Sequence, residues 1–368
     1  MSRIRVLVVD DSSLMRRTIS KILESTPDIQ VIGTACNGQE AVEFARKYRP
    51  DVITMDVIMP VMDGLTALKQ IVKQTNSRVI MVSSETFDGS RQAIDALSSG
   101  AVDYVTKTSG QVSLDIGKIS SQLINKVKTA YNSKTMVFGP VSSASKKFRQ
   151  IIDELLAREP DAARYRSVDD YQKNIKRDVV AVASSTGGPA ALQVILSSLP
   201  KDLPAGIVIV QHLTEGFSQT LADKLNSVSS LEVRLCAGME DVRPGVALLA
   251  PSGFHLTVRK IGSRLLAVLG SEPADALHKP SADVLFSSVA NACAEKCCAV
   301  ILTGMGDDGA RGMREIKDRG GLTIAQNENT SVIYGMPKAA IELGAVHMVV
   351  PVGEIAARIM SSLINGRI

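Results

Sequence analysis

The sequence predicts an α/β protein of two domains, each built around a mainly parallel sheet. The length of 368 residues is long for one hydrophobic core and favours two. Short apolar runs alternate with helical periodicity over residues 4–131, and the same alternation resumes after residue 178. Neighbouring parallel strands need helical crossovers, so this order is typical of a sheet with helices on both faces.

Five apolar runs mark the strands of the first domain. They occupy residues 4–9, 31–35, 51–56, 78–83 and 102–106. Helical periodicity follows each run, near residues 13–24, 38–48, 64–74, 89–98 and 112–131. Five repeats of strand and helix predict a (βα)5 domain, which we assign to residues 1–125.

A more polar stretch, residues 126–177, separates the two domains. We expect a linker there, because serine-rich and charged segments dominate it. One part, residues 148–156, has apolar side chains at helical spacing and predicts an amphipathic helix. This helix would either lie on one of the domains or dock a partner.

The second domain, residues 178–368, repeats the alternation with a different middle. Strands are expected at 179–183, 207–211, 298–303, 322–326 and 346–350. Residues 231–270 hold short apolar runs separated by turn residues, which predict an antiparallel edge or hairpin. The expected fold is therefore a doubly wound, mainly parallel α/β sheet with an antiparallel hairpin.

Composition excludes several classes of protein. Hydrophobic residues make up 45% and charged residues 22% of the chain, as in ordinary globular proteins. No apolar run approaches the roughly 20 residues that cross a bilayer, and the N-terminus has no signal-peptide pattern. A net charge of +4 without a basic stripe does not favour nucleic acid. We expect a cytoplasmic protein with no membrane insertion and no nucleic-acid partner.

The five cysteines fit this expectation. Their number is odd, and no disulfide framework is visible in their spacing. Cys293 and Cys297 stand four residues apart in an expected helix, a spacing that a metal pair would tolerate. No cluster of histidines accompanies them, so small buried thiols are the favoured interpretation.

Charged and polar residues follow the strands of the first domain. Asp10 and Asp11 end the first strand, Asp56 the third, Ser83 the fourth and Lys107 the fifth. The carboxyl ends of parallel strands share one edge of a sheet, where crowded carboxylates favour Mg2+. Asp56 is then placed to accept a phosphoryl group, with lysine and serine contacting its oxygens. The alternative for any single strand-end aspartate is a helix N-cap.

The run VVAVASSTGGPAALQVI, residues 179–195, reads as a buried strand that turns sharply into a helix. Glycines in such a turn can cradle a phosphate, and a serine there can be an exposed nucleophile. A Walker-type cradle needs Lys-Ser or Lys-Thr after its last glycine, but Pro189 follows Gly188. The dinucleotide fingerprint needs three spaced glycines, and two are present. The stretch therefore favours a nucleophile.

A base and an orienting acid follow other strands of the same predicted sheet. His212 comes directly after the strand at 207–211, and Asp307 and Asp308 follow the strand at 298–303. With Ser185 they form a candidate Ser-His-Asp triad, which is defined by geometry and not by chain order. Each residue also has a structural alternative, as an N-cap, a buried histidine or a helix cap. A non-catalytic binding module therefore stays the alternative function.

Three other histidines have weaker signals. His255 lies in the hairpin region and would line the cleft, and His278 precedes a helix and would contact substrate. His347 interrupts an apolar run, which indicates a structural role.

The motifs VLVVDDSSLMRRTI, DVITMDVIMPVMDGLTAL and GAVDYVTK resemble the receiver domain of two-component response regulators, which has a flavodoxin-like fold. The resemblance implies Asp56 as phospho-acceptor, Asp10, Asp11, Asp56 and the backbone carbonyl of Ile58 as Mg2+ ligands, Lys107 as a contact of the phosphoryl group, and Ser83 and Tyr104 as a switch pair. A histidine kinase is the implied phosphodonor. One departure is Thr108, where receivers commonly have proline.

The motifs SSTGGPAAL, QHLTEGFSQTLADKL, KPSADVLFSSVA and LTGMGDDGARGM are similar to the catalytic domain of the CheB family. That family demethylates glutamate methyl esters, and deamidates glutamines, on methyl-accepting chemoreceptors. The resemblance implies Ser185 as nucleophile, His212 as base, Asp308 as acid and the backbone N–H of Met305 in the oxyanion hole, with no catalytic cofactor. Two departures are Ala183, commonly glycine, and Asp307, commonly asparagine. The extra carboxylate would favour the imidazolium form of His212.

Overall fold

A computed structural model describes residues 3–84, 87–107, 116–133 and 177–365. The chain divides into two compact units, residues 1–138 and 139–368. The α/β fold predicted for both halves is confirmed. The helix expected at 148–156 and the turn at Thr108 lie outside the described residues. Within the described ranges, no helix is both long enough and apolar enough to span a bilayer.

The first unit contains a five-stranded parallel sheet. Its elements are β1 (Ile4–Val9), α1 (Ser13–Glu24), β2 (Ile29–Ala35), α2 (Gly38–Tyr48), β3 (Val52–Asp56), α3 (Gly64–Gln74), β4 (Arg78–Ser84), α4 (Phe87–Ser98), β5 (Asp103–Lys107) and α5 (Ile116–Tyr131). The strand order β2-β1-β3-β4-β5 is the flavodoxin-like order. Helix α5 continues past residue 125, so this unit extends beyond the boundary expected from the sequence.

Side-chain caps fix where the first three helices begin. Ser12, Asn37 and Asp63 each accept a hydrogen bond from the backbone N–H three residues further along the chain. Each cap satisfies a backbone donor that the helix itself cannot pair. For this reason the polar residue just before each apolar period marks the start of α1, α2 and α3 in the sequence.

The second unit is built on a seven-stranded sheet in which every pairing is parallel. Its elements are β6 (Val179–Ser184), α6 (Gly188–Leu196), β7 (Gly206–Gln211), α7 (Ser218–Val228), β8 (Glu232–Leu235), β9 (Met239–Asp241), β10 (Val246–Leu249), β11 (His255–Ile261), β12 (Arg264–Gly270), α8 (Ala282–Cys293), β13 (Cys297–Ile301), α9 (Ala310–Asp318), β14 (Leu322–Gln326), α10 (Met336–Glu342), β15 (Met348–Val350) and α11 (Val352–Asn365). The strand order is β15-β14-β13-β6-β7-β10-β8.

The middle of this unit differs in part from the expectation. Strands β11 and β12 form the predicted hairpin, and β9 adds to it as a third antiparallel strand. However, β8 and β10 do not belong to an antiparallel edge, because they extend the parallel sheet beyond β7. Strand β10 is buried at every position, which suits a strand inside a parallel sheet. A four-residue run contains no signal for the direction of its partner, so this part of the prediction was wrong.

Three central strands bring their carboxyl ends together. Strand β6 lies between β7 and β13, and all three are buried along their whole length. Loops that leave one edge of these strands therefore meet in a small region. Cys293 and Cys297, expected on one helix, lie on different elements at the other end of β13, since Cys293 ends α8 and Cys297 begins β13. Burial raises the pKa of both thiols, as expected of inert core cysteines.

Candidate functional sites

The strand ends of the first unit hold a lysine between two buried carboxylates. Lys107 Nζ lies 2.8 Å from Asp10 Oδ2 and 2.6 Å from Asp56 Oδ2. The backbone N–H of Val57 donates a second hydrogen bond to Asp56, at 2.7 Å to Oδ1. These contacts connect the ends of β1, β3 and β5, as the order of the sheet requires. The Lys107 ammonium group therefore forms ion pairs with both Asp10 and Asp56.

Burial dominates the electrostatics of this site. Burial raises the pKa of Asp56, and the neighbouring Asp10 charge adds to that rise, while Lys107 and the Val57 N–H oppose it. Burial alone would lower the pKa of Lys107, but hydrogen bonds to the two carboxylates raise it. The lysine is therefore held as a cation, and Asp56 is a carboxylate whose charge is costly to keep.

The acidic residues fit a small divalent cation. Ligand oxygens of Asp10, Asp11 and Asp56 lie within 4.8 Å of one another. Asp10 and Asp56 are buried, while Asp11 is exposed. Arg16 holds the loop after β1 by donating to the backbone carbonyls of Asp10 and Asp11, at 2.7 and 3.0 Å. A set of hard oxygen donors of this kind suits Mg2+.

The remaining predicted residues of this site lie around it. Ile58 follows β3, and its side chain is exposed. Ser83 lies on β4 beside Thr106 of β5, but its side chain is outside the described part. Tyr104 is buried on β5, with Lys126 Nζ 4.9 Å above its ring centroid. The roles that the sequence predicts for these residues stay predictions.

In the second unit, a tight turn presents Ser185 at the end of β6. The Ser185 N–H donates to the Thr303 carbonyl at 3.0 Å, and Gly188 N–H donates back to the Ser185 carbonyl at 2.8 Å. Gly187 has a φ of +79°, which glycine adopts without strain. Helix α6 begins directly after it, so its N-terminal end points toward the serine. This strand-turn-helix geometry is typical of a nucleophile elbow.

His212 lies beside Ser185 at the end of the neighbouring strand. Ser184 of β6 pairs with Gln211 of β7, and the next residues along the two strands are Ser185 and His212. The His212 Nε2 lies 2.8 Å from Asp308 Oδ2. Since a carboxylate only accepts, Nε2 carries the proton and Nδ1 is the free acceptor. Nδ1 is buried, and no described residue hydrogen-bonds to it.

Asp308 is held by the beginning of helix α8. Its carboxylate accepts from Ser281 Oγ at 2.9 Å, Ala282 N–H at 2.7 Å and Asp283 N–H at 2.9 Å. Burial alone would raise the pKa of Asp308. The hydrogen bonds from His212 and from these two N–H groups outweigh it and hold the pKa well below the usual range. Asp308 is thus both a helix cap and the partner of His212, so the two interpretations coincide.

Asp283 makes the reciprocal cap. Its Oδ1 accepts from the backbone N–H groups of Gly309 and Gly312, at 3.0 and 2.9 Å, at the start of α9. Each of the two aspartates therefore caps the helix at whose start the other one lies. This double cap fixes Asp308 against α8 from two directions.

A buried glutamine connects the serine to the histidine. Gln211 Nε2 donates to the carbonyls of Ser185 and His212, both at 2.9 Å, and its Oε1 accepts from Ser184 Oγ at 2.7 Å. These partners settle the orientation of the amide, because two carbonyls can only be met by the donor side. Sequence reasoning missed Gln211, although a polar residue at the end of an apolar strand was a visible signal.

Of the other three histidines, one differs from expectation. His255 is fully buried and does not line a cleft, because both of its ring nitrogens hydrogen-bond to backbone groups. His278 stacks on His212, with ring centroids 4.2 Å apart and planes 20° apart. His347 Nδ1 lies 2.7 Å from Thr323 Oγ1, which agrees with a structural role.

Met305 and Asp307 lie in the loop between β13 and α9. A Cβ added to Gly304, the preceding residue, would lie 2.7 Å from Ser185 Cβ, so the loop packs directly against the serine. The Met305 and Asp307 side chains are exposed. Ala183 is buried within β6. The triad roles and the oxyanion-hole role stay predictions.

Comparisons with known proteins match both units. Residues 6–115 match the family model of the response regulator receiver domain, and residues 180–359 match that of CheB methylesterase. A "Protein-glutamate methylesterase/protein-glutamine glutaminase" of Archaeoglobus fulgidus is 44% identical over 360 residues, 98% of each chain. A protein of that name from Halalkalibacterium halodurans is 41% identical over 359 residues, again 98% of each. The solved Thermotoga maritima CheB methylesterase catalytic domain is 38% identical, with a TM-score of 0.49, over 50% of this chain and 98% of that chain.

Proposed function

This chain belongs to the CheB family of protein-glutamate methylesterases/protein-glutamine glutaminases, and from that premise we propose how its residues act. The chain is a carboxylic ester hydrolase under the control of a receiver domain. Its substrates are methylated glutamate side chains of methyl-accepting chemoreceptors, and it also deamidates glutamine side chains. The reaction takes place in the cytoplasm, where those receptor segments lie.

Ser185 is the nucleophile of the proposed reaction. Its hydroxyl attacks the ester carbonyl while His212 Nδ1 takes the proton, since Nε2 is already bonded to Asp308. Asp308 stabilises the imidazolium that forms and keeps the ring in the required tautomer. The imidazolium then protonates the departing methoxide, and methanol leaves behind an acyl-enzyme.

Water completes the cycle. His212 Nδ1 removes a proton from a water molecule, the resulting hydroxide attacks the acyl carbon, and Ser185 recovers its proton. The products are a glutamate carboxylate, a proton and methanol. With a glutamine substrate the same steps release ammonia in place of methanol. The backbone N–H of Met305 is the proposed donor to the oxyanion, since its loop packs against Ser185.

Asp56 is the proposed site of control. Its carboxylate accepts a phosphoryl group from a histidine kinase, and Lys107 contacts the new oxygens. Asp10, Asp11 and Asp56 would hold Mg2+ together with the Ile58 carbonyl, and the ion would supply the neutralising charge that phosphoryl transfer needs. Ser83 and Tyr104 form the proposed switch pair that reports phosphorylation to the hydrolase.

The observation that best supports this function is the pair of nitrogens on His212. One nitrogen is bonded to a helix-held aspartate, and the other is buried and unpaired among the described residues. The strand register places the His212 residue beside Ser185. A buried histidine with a purely structural role would use both nitrogens, as the fully buried His255 does. A non-catalytic binding module has no need of this arrangement.

The test compares two adjacent serines in the full-length protein. We expect Ser185→Ala to lose methanol release from methylated receptor by roughly 10⁴-fold or more, because triad members act as a unit. Ser184→Ala should keep most activity, since it loses one hydrogen bond to Gln211. A fluorophosphonate probe should label the wild type and Ser184→Ala but not Ser185→Ala. Equal labelling of all three would contradict the assignment.

A further inference from the structure

A second imidazole covers one face of the candidate base. His278 lies in the loop of residues 271–281, between β12 and α8, which we call the histidine loop. Its ring centroid is 4.2 Å from that of His212, and the planes are 20° apart, which is a stacked arrangement. Neither the triad nor the oxyanion hole uses His278.

Buried His255 fixes both ends of the histidine loop. Its Nε2 lies 3.1 Å from the Pro273 carbonyl, and its Nδ1 accepts from the Ser281 N–H at 3.2 Å. Since Nδ1 is an acceptor, Nε2 carries the proton and the ring is neutral. A further hydrogen bond anchors the loop, because the Gly253 N–H donates to the Lys279 carbonyl at 3.1 Å. A loop held at these points presents His278 in a fixed place.

The end of the loop also reaches the triad. Ser281 donates its N–H to His255 and its hydroxyl to Asp308, at 2.9 Å to Oδ1. Asp308 in turn bonds to His212 Nε2. The histidine loop therefore contacts His212 in two ways. His278 stacks on the His212 ring, and Ser281 hydrogen-bonds to Asp308, the partner of His212.

The charges around the stacked pair favour a neutral His278. Burial, and then the neighbouring His212 ring, lower the pKa of His278, while Asp308 and Asp307 oppose this. Two stacked imidazoles do not readily carry a charge at once, because their rings are in contact. The proton taken from Ser185 therefore stays on His212.

We propose that His278 is a positioning residue for His212, a neutral aromatic surface that fixes the ring plane of the base and accommodates its imidazolium form. Asp308 holds one edge of the His212 ring and His278 holds its face, so the direction of Nδ1 is fixed. A ring that rotated about its χ2 bond would lose the stacking and the Asp308 contact together. The term "base" rests on the proposed function, whereas the ring pair is a feature of the fold.

Three substitutions separate the properties of His278. His278→Phe keeps a neutral aromatic face, His278→Ala removes the face, and His278→Arg keeps a planar stacking group but adds a fixed charge. The residue is partly exposed in a loop, so the three variants should fold. His347→Gln is the matched control, because it removes a histidine of the same unit away from the stacked pair.

The first readout is an NMR titration of the full-length protein, whose four histidines give few ring signals. The groups in direct contact with the His212 ring are Asp308 and His278, and Asp307 is a further charge close to His278; the substitutions change His278 alone. His278→Arg should lower the titration midpoint of His212 by about one pH unit, because a like charge disfavours imidazolium. His278→Phe should leave that midpoint close to the wild type. His278→Ala should remove the ring-current shift of the His212 signals, and His347→Gln should change nothing at His212.

The second readout is methanol release. His278→Ala should lower kcat/KM about three- to tenfold, the range of aromatic pair energies, with the loss in kcat. His278→Phe should recover most of it. A His278→Ala protein with unchanged His212 signals and unchanged kcat/KM would overturn the proposal. Equal losses in the Phe and Ala variants, expressed in KM, would also overturn it, since His278 would then contact substrate.

The titration needs no turnover, so the two claims can fail separately. A wild-type protein that released no methanol but showed the predicted His212 shifts would count against the proposed function and support the ring pairing. A wild-type protein that released methanol without any coupling between the rings would refute the role of His278 alone.

Discussion

Two buried aspartates, one in each unit, have opposite electrostatics. The Asp56 and Asp308 side chains are 10% and 11% exposed. Asp56 ends β3, and Asp308 lies in the loop after β13. Yet the pKa of Asp56 is raised and that of Asp308 is lowered. Burial is the largest contribution at both and has the same sign. The difference therefore comes from the hydrogen-bond donors around each carboxylate and from the Asp10 charge beside Asp56.

The donors match the chemistry proposed for each residue. Asp308 accepts from Ser281, Ala282, Asp283 and His212, so its charge is fixed and its lone pairs are occupied. Asp56 accepts from Val57 and shares Lys107 with a second carboxylate. A nucleophile toward phosphorus needs an available lone pair, whereas a residue that orients a histidine needs a permanent charge. Burial alone therefore does not indicate what a carboxylate does.

The largest expected effect is on methanol release, which should depend on Asp308 but not on the acidic site of the first unit. Asp308→Asn should lower the kcat for methanol release by up to about 10⁴-fold, because the amide would favour the wrong tautomer of His212. Asp10→Asn should leave basal release within a fewfold of the wild type, since Asp10 belongs to the acidic site. Steady-state kinetics on both variants measure this. Similar losses in the two would mean that the acidic site takes part in hydrolysis itself.

The effect of intermediate size is on the free energy of unfolding, where substitutions of Asp308 and Asp56 should act in opposite directions. The pKa of Asp308 is lowered in the folded state, so its charge stabilises the fold above the unfolded pKa of about 3.9 and this contribution is lost as pH falls. Asp308→Asn should thus cost about 1–3 kcal/mol at pH near 7 and less in acid. The pKa of Asp56 is raised, so its charge costs stability above the folded pKa. Asp56→Asn should therefore raise the Tm of the first unit near pH 7.

Thermal unfolding of the two variants, followed from about pH 4 to about pH 7, measures both differences. The account requires the two curves to deviate from the wild type in opposite directions at the upper end. Destabilisation by both substitutions would mean that Lys107 compensates the burial of Asp56 in full.

The smallest expected effect concerns Asp307. This exposed carboxylate precedes Asp308 and favours the protonated form of the neighbouring His278. If it acts on His212 in the same way, Asp307→Asn should move the acid limb of the pH profile of kcat/KM to lower pH, by less than about one unit. A limb that stays in place would mean that solvent screens the extra carboxylate from the base.

Much of the fold followed from local sequence signals. The starts of α1, α2 and α3 were visible because Ser12, Asn37 and Asp63 are N-caps. The direction of β8 and β10 was not visible, because pairing is decided by a neighbouring strand that is distant in sequence. Short strands were expected in this stretch, but their partners could not be predicted from the sequence.

The candidate sites followed from the rule that strand ends meet at one edge. That rule placed Asp10, Asp56 and Lys107 together, and likewise His212 and Asp308. It could not find Gln211, Asp283 or the stacking of His278, because these depend on the path of loops and on side-chain direction. Ser281 directly before α8, with Asp283 in the first turn of the helix, was a readable N-cap signal. The hydrogen bonds from the start of α8 to Asp308 were visible only in the structure.

The most direct test of the account measures methanol release from methylated receptor by the full-length protein, with and without a small phosphodonor and Mg2+. The account predicts that the phosphodonor accelerates the wild type and leaves Asp56→Ala at an unstimulated but intact basal rate. Release by Ser185→Ala should be slower by roughly 10⁴-fold or more under either condition. Stimulation of Asp56→Ala equal to that of the wild type would contradict the claim that phosphorylation of this buried aspartate controls the serine hydrolase.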